Sequence, residues 1–213
     1  MAGKQPLKRK VYLSVKDVAL LAMFTAILFI QEEALTFLPN IQLTVFLLVL
    51  YSKRLGFIRT SIIIFIHVIL DNLVMGSFSI IWTPAMYVGW MLIPIVICTI
   101  FRKVEKCAVL ATMGAVLSFT YCWCFVVPNY FVLHINPLAY LASDVTFECI
   151  LALSSFVSIL FLYVPCRDLF IKFEIGKIKE DEYDKIDLEY NESIKDAWAE
   201  IAKDKDNNDK NID

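Results

Sequence analysis

The feature that most constrains this chain is the spacing of its basic residues. Three long stretches, 17 to 52, 60 to 101 and 107 to 166, contain no Lys or Arg. Each has roughly the length of two bilayer-spanning helices, which take about 20 mostly apolar residues apiece. Composition agrees, because 59% of the 213 residues are hydrophobic, against about 45 to 50% in soluble domains. A disordered chain is therefore excluded, and the composition fits an ordinary soluble domain poorly. Charge is also segregated: residues 1 to 172 carry 13 Lys/Arg against 8 Asp/Glu, and residues 173 to 213 carry 7 against 14. The sequence predicts an all-α, polytopic membrane domain over 17-172, a basic N-terminus over 1-16 and an acidic, partly disordered tail over 173-213.

Turn signals divide the three stretches into six spans. The first runs from Asp17 to Leu38 and stops at Pro39-Asn40, where proline cannot donate an amide bond and disfavours helix in the residue before it. The second, Ile41 to Tyr51, is short for a crossing and calls for tilt or cover by its neighbours. The third runs from Gly56 to Met75. The fourth starts at Trp82 or Thr83, with Pro84 in its first turn, and ends at Ile100. The fifth runs from Cys107 to Val127, stopping at Pro128-Asn129. A loop rich in aromatics, Asn129 to Leu141, leads to the sixth, Ala142 to Tyr163, which ends before Pro165.

Six crossings put every Lys/Arg cluster on one face, and the positive-inside rule makes that face, with both termini, cytoplasmic. The apolar run after the basic start exceeds a 7 to 15 residue signal core and lacks a small-residue cleavage site, so it reads as a retained helix. Six cysteines, at 98, 107, 122, 124, 149 and 166, show neither zinc-site nor disulfide spacing and read as small buried apolar residues. No metal and no cofactor is called for. In the tail, Ile194, Trp198 and Ile201 form one weak amphipathic stripe.

Ionisable groups inside a span cost about 2.5 to 3.5 kcal/mol each on the insertion scale and are functional candidates by default. Here they are Glu32 and Glu33 beside Gln31 in span one, His67 and Asp71 with Asn72 in span three, and Asp144 and Glu148 opening span six. Asp71 lies about 18 Å of helix beyond Arg59, in the outer half. Asp144 and Glu148, one turn apart, share a helix face. His67 and Asp71 read first as a packing pair between helices, with a proton relay as the alternative. Trp82, Tyr87 and Trp90, Tyr121 and Trp123, and Tyr130 and Phe131 collect at the same outer level. Singly such rings form an interfacial belt; together with acids and amides they suit a pocket for a small heterocycle.

Catalysis is disfavoured. Glu32-Glu33 lacks the Arg that paired-glutamate intramembrane proteases need, and there is no His-Glu-x-x-His or Gly-x-Ser-x-Gly motif. The two histidines, His67 and His134, do not make a paired haem ligation site. No P-loop is present, so ATP hydrolysis would have to come from elsewhere.

Six spans in about 170 residues, a small-residue first helix, a short second helix entered through Pro39 to Leu43, and an acid late in helix three resemble one family. The chain looks like the substrate-binding (S) component of an energy-coupling factor (ECF) vitamin transporter over roughly residues 10 to 170. The resemblance implies a prokaryotic plasma-membrane protein that captures a vitamin-like molecule from outside. Partners would be a transmembrane coupling subunit and two cytoplasmic ATPases. In that family small residues on helix one meet the coupling subunit; Ala22 and Ala26, extended by Ala19, match the spacing. Packing inside the protein would give the same pattern.

The ligand set expected on these grounds is Gln31, Asn40, Trp82, Tyr87, Trp90, Asn129, Tyr130, Asp144 and Glu148, with the loop from Glu32 to Gln42 closing over it. A pocket rich in acids and free of Lys and Arg favours a neutral or cationic heterocycle. The alternatives are a self-contained proton-coupled secondary carrier using His67, Asp71 or Glu148, and a structural or sensory membrane subunit. Internal repeat symmetry, which would favour the carrier, is not evident.

Overall fold

The computed structural model describes residues 15 to 76, 78 to 173 and 175. Their contacts place the chain in two units, Met1–Asp168 and Leu169–Asp213. The expected basic N-terminus and the tail stripe at Ile194, Trp198 and Ile201 lie outside the described residues.

Among the described residues the regular structure is helical: α1 Val15–Leu35, α2 Thr44–Arg54, α3 Phe57–Val74, α4 Trp82–Thr99, α5 Cys107–Trp123, α6 Val126–Leu133 and α7 Pro137–Lys172. Five segments are long and apolar enough to cross a membrane: α1, α3, α4, α5 with α6, and α7. These features fit a multi-pass membrane protein. The second expected span, α2, has 11 residues, about 16 Å of helix and half the thickness of a hydrocarbon core. Every residue from Thr44 to Ser52 is buried, because α2 packs against α1, α3, α4 and α5 together. A helix covered on all sides can be apolar all round, and this one is the axis of the bundle.

Two expected boundaries are corrected. Pro128 does not end a helix but sits in the first turn of α6, where amide donors lack helical partners anyway. The expected loop from Asn129 to Leu141 is therefore mostly α6 and the start of α7. Asn136 Oδ1 accepts from the Leu138 amide at 2.9 Å, so Asn136-Pro137 is an N-cap followed by a proline at the first helical position. The second correction is at Pro165, which lies inside α7. It removes one backbone bond, and continuing the helix satisfies the remaining groups better than leaving them bare in apolar surroundings.

Contacts at the helix ends show how the chain alternates. Asp17 and Arg59 form a buried ion pair at 2.7 Å, joining the starts of α1 and α3. Lys53, at the end of α2, donates to the Phe101 and Arg102 carbonyls beyond α4 at 2.8 and 3.1 Å. Glu105 accepts from Arg54 and from the Tyr163 hydroxyl of α7, both at 3.1 Å. One end of the bundle thus holds Lys53, Arg54, Arg59 and Arg102. At the other, Gln31 near the end of α1 meets the start of α2, and Asn72 near the end of α3 accepts from Thr83 at the start of α4 at 3.1 Å.

Close approaches fix two of the helix crossings. A Cβ on Gly89 of α4 would lie 2.7 Å from the Tyr121 ring of α5, and one on Gly114 of α5 would overlap the Ile159 side chain of α7. Four residues beyond Gly114, the hydroxyls of Ser118 and Ser155 are 2.8 Å apart, joining α5 to α7 inside the core.

Candidate functional site

The polar end of the bundle holds two clusters. The first joins α1, α2 and α3. α2 begins at Leu43, which has no side-chain cap of its own, and Gln31 supplies the missing acceptor: its Oε1 takes the Leu43 amide at 2.9 Å. Its Nε2 donates to the Leu28 carbonyl at 3.0 Å and to the Thr44 hydroxyl at 2.8 Å. Gln31 is thus a capping residue reaching across 12 positions.

Glu32 Oε2 lies 3.0 Å from Nε2 of the fully buried His67, at ion-pair distance but outside hydrogen-bond angles. The same oxygen is 3.2 Å from the Thr44 hydroxyl. The histidine's close acid is therefore Glu32 on α1, where the sequence pointed to Asp71 on its own helix. Asp71 and Asn72 are buried alongside, and Asn72 Nδ2 donates to the Val68 carbonyl at 2.8 Å.

The second cluster joins α5 and α7. One atom each from Cys122, Asp144 and Glu148 lie within 4.8 Å of one another. Glu148 and Cys122 are 3% and 5% exposed, and Asp144 is half-buried. Trp123 Nε1 donates to Glu148 Oε2, and the Tyr140 hydroxyl to Asp144 Oδ2, both at 3.4 Å. Glu148 Oε1 is buried and has no hydrogen-bond partner among the described residues. Asp144 and Glu148 thus come together as the helical spacing required. Cys122, Trp123 and Tyr140 complete the group and were absent from the expected ligand set. Tyr140 had a legible signal, standing one turn before Asp144 on the same face. Cys122 had none.

The aromatic candidates part company. Trp90 is fully buried and stacks on Tyr121 with ring centroids 3.7 Å apart. Its Nε1 has no hydrogen-bond partner among the described residues. Tyr87 meets Phe65 edge-on at 6.0 Å, and Trp82 is half-buried at the start of α4. Asn129 Nδ2 is turned back to the Phe125 carbonyl of its own helix at 2.7 Å. Tyr130 is exposed, edge-on to Phe131. Asn40 occupies a left-handed turn with φ 56°.

An apolar groove of about 390 Å³ runs between α4 and α6, lined by Ile81, Pro84, Val88, Val127 and Phe131 among others; none of the nine expected ligand residues lines it. The cysteines are all free thiols. The expectation that they are buried holds for Cys122; Cys149 is exposed and the other four are half-buried. On α1, Ala19, Ala22 and Ala26 are exposed, on the face opposite the buried Leu21, Phe24, Thr25 and Leu28.

Compared with known proteins, the chain matches no family model, no curated sequence and no solved structure.

Proposed function

We propose that the chain is the substrate-capturing membrane subunit of an energy-coupling-factor type importer, taking up a vitamin-like heterocycle with energy from partner ATPases. The observation that carries this reading is the outward face of α1. Ala19, Ala22 and Ala26 are exposed, so their spacing is not consumed by packing inside the protein, and a row of small residues lets a second helix come close. A coupling subunit is the partner that the resemblance offers for that face.

In this reading α2 makes the sixth crossing, inside the cover of its neighbours. Both termini and the basic end are cytoplasmic, in a prokaryotic plasma membrane. The polar end then faces outward, where Asp144, Glu148 and the rings of Trp82 and Tyr87 supply anchors and flat walls for a ligand. Gln31 and Asn40 shape the turn above α2 rather than reaching for the ligand.

The test is mass spectrometry of small molecules released from the full chain, purified alone in detergent after expression in rich medium. A vitamin-sized compound at near-stoichiometric amount, retained by Ala22→Leu/Ala26→Leu and lost from Glu148→Gln, is the expected result. Protein that stays empty even after incubation with a metabolite extract refutes capture. Release of the compound by the Ala22/Ala26 variant would mean that these residues pack the core.

One observation favours a second reading. His67 and Glu32 face each other across α1 and α3 with Asp71 nearby, a pairing suited to proton exchange in a self-contained secondary carrier. Such a carrier would accumulate substrate in proteoliposomes without partner subunits, driven by a pH gradient and abolished by His67→Ala.

A further inference from the structure

The group at the polar end of α5 and α7 includes the two acids that the capture reading uses as anchors, together with a thiol, Cys122, that it does not use. We propose that Cys122, Asp144 and Glu148 form a three-donor site for a divalent first-row transition-metal ion of the Zn²⁺ class.

The spacing is right for coordination. Sulfur and oxygen donors of one tetrahedral ion, at about 2.3 and 2.0 to 2.2 Å from it, lie about 3.4 to 3.7 Å apart. Here the three donor atoms lie within 4.8 Å of each other, so a contraction of at most about 1.4 Å reaches that distance. An independent sign is Glu148 itself. It is 3% exposed, and its Oε1 accepts no hydrogen bond among the described residues. A buried carboxylate oxygen left bare is costly unless something binds it or the group is neutralised.

The surroundings supply orientation, and among the described residues neither acid is ion-paired. Trp123 and Tyr140 each hold an oxygen of one carboxylate at 3.4 Å, as outer partners do for metal-bound acids. Between 107 and 166, the stretch that carries all five residues, there is no Lys or Arg to balance two acids. The thiols of Cys98, Cys107 and Cys124 donate to backbone carbonyls at 3.3 to 3.4 Å; among the described residues the Cys122 thiol makes no such donation. On binding, the Cys122 thiol loses its proton to solvent and the sulfur–metal bond forms. The thiolate selects a borderline transition metal over Mg²⁺ or Ca²⁺, and three protein donors leave one position for water or an added ligand. The inference goes beyond the capture reading and does not depend on it.

The experiment uses the tag-free full chain in detergent with a phosphine reductant, no added organic ligand, and Co²⁺ as the probe. Equimolar Co²⁺ should produce a thiolate-to-cobalt charge-transfer band, displaced by Zn²⁺ and not by Mg²⁺. The band should vanish in Cys122→Ser, whose other five cysteines are intact. Trp123→Phe should keep it while weakening Co²⁺ affinity about 10- to 100-fold. Absence of the band in the wild type, which raises no question of folding, overturns the proposal, as does its persistence in Cys122→Ser. Acids that are neutral by protonation would give that empty result. A protein that binds Co²⁺ but releases no vitamin keeps this site and loses the capture reading; the reverse outcome does the opposite.

Discussion

Replacing Gly114 by Ala tests the packing that brings α5 and α7 together beneath the Cys122, Asp144 and Glu148 group. The added methyl would overlap the end of the Ile159 side chain, with Val45 Cγ1 only 3.6 Å away on another flank. An isoleucine tip can often swing aside, but Ile159 is 0% exposed, so the helices must part instead. Overpacking of this kind costs about 1 to 3 kcal/mol. The hydroxyl contact at 2.8 Å between Ser118 and Ser155 would stretch with it, forfeiting about 1 kcal/mol more. Against this, Ala favours a helix over Gly by about 0.5 to 1 kcal/mol, leaving a net loss of roughly 1 to 3.5 kcal/mol. Unfolding by SDS in mixed micelles, followed by Trp fluorescence, reads the difference. Ile159→Val alone should cost about 0.5 to 1.5 kcal/mol. Combined with Gly114→Ala it should restore stability, because it removes the atom that the new methyl meets. Gly114→Ala as stable as the wild type, or a double variant whose losses simply add, would refute the reasoning.

Three further outcomes follow from named contacts. Asp17→Asn should destabilise by about 3 to 5 kcal/mol in the same SDS titration, because it takes the carboxylate away from the buried Arg59 guanidinium. Gln31→Ala should cost about 1 to 2 kcal/mol by uncapping α2, and faster amide exchange at the start of α2 would locate the loss. Ala22→Leu with Ala26→Leu should leave the unfolding midpoint within about 0.5 kcal/mol of the wild type, since exposed positions tolerate substitution; a larger loss would place that face inside the protein.

How far the fold was legible depends on what fixes each element. Long apolar stretches between basic clusters announce helices whatever their neighbours do, and α1, α3 and α4 start and end within about three residues of the expected limits. The described basic residues Lys53, Arg54 and Arg102 also meet at one end as their spacing required, although Glu105, which ties α2 to α7 there, carried no sequence signal. Proline was misread where context reverses its meaning. Pro128 and Pro137 sit where a helix starts and their missing amides cost nothing, while Pro165 is tolerated inside an apolar helix that has no better place to send its carbonyls. Asn136 before Pro137 was the readable sign, and taking it as a cap would have started α7 five residues earlier than Ala142.

The site was legible only where one helix carries it. Asp144 and Glu148 are four residues apart, and helical geometry alone puts them on one face. Cys122 reaches them because Gly114 lets α5 approach α7, a contact between positions 45 apart that no local pattern encodes. The same holds for Glu32 and His67, on α1 and α3: the acid four residues along, Asp71, was the visible partner, and the acid across the helix interface is the one in contact. Aromatic residues were the least informative, since stacking needs a particular partner: Trp90 spends one ring face on Tyr121, whereas Trp82, eight residues earlier, stays half-buried at the helix start. In an all-helical bundle each helix announces its own faces, and the pairing of faces is set by small residues at the crossings. Gly89 and Gly114 are therefore the positions through which the chemistry of this chain is assembled, although neither carries a reactive group.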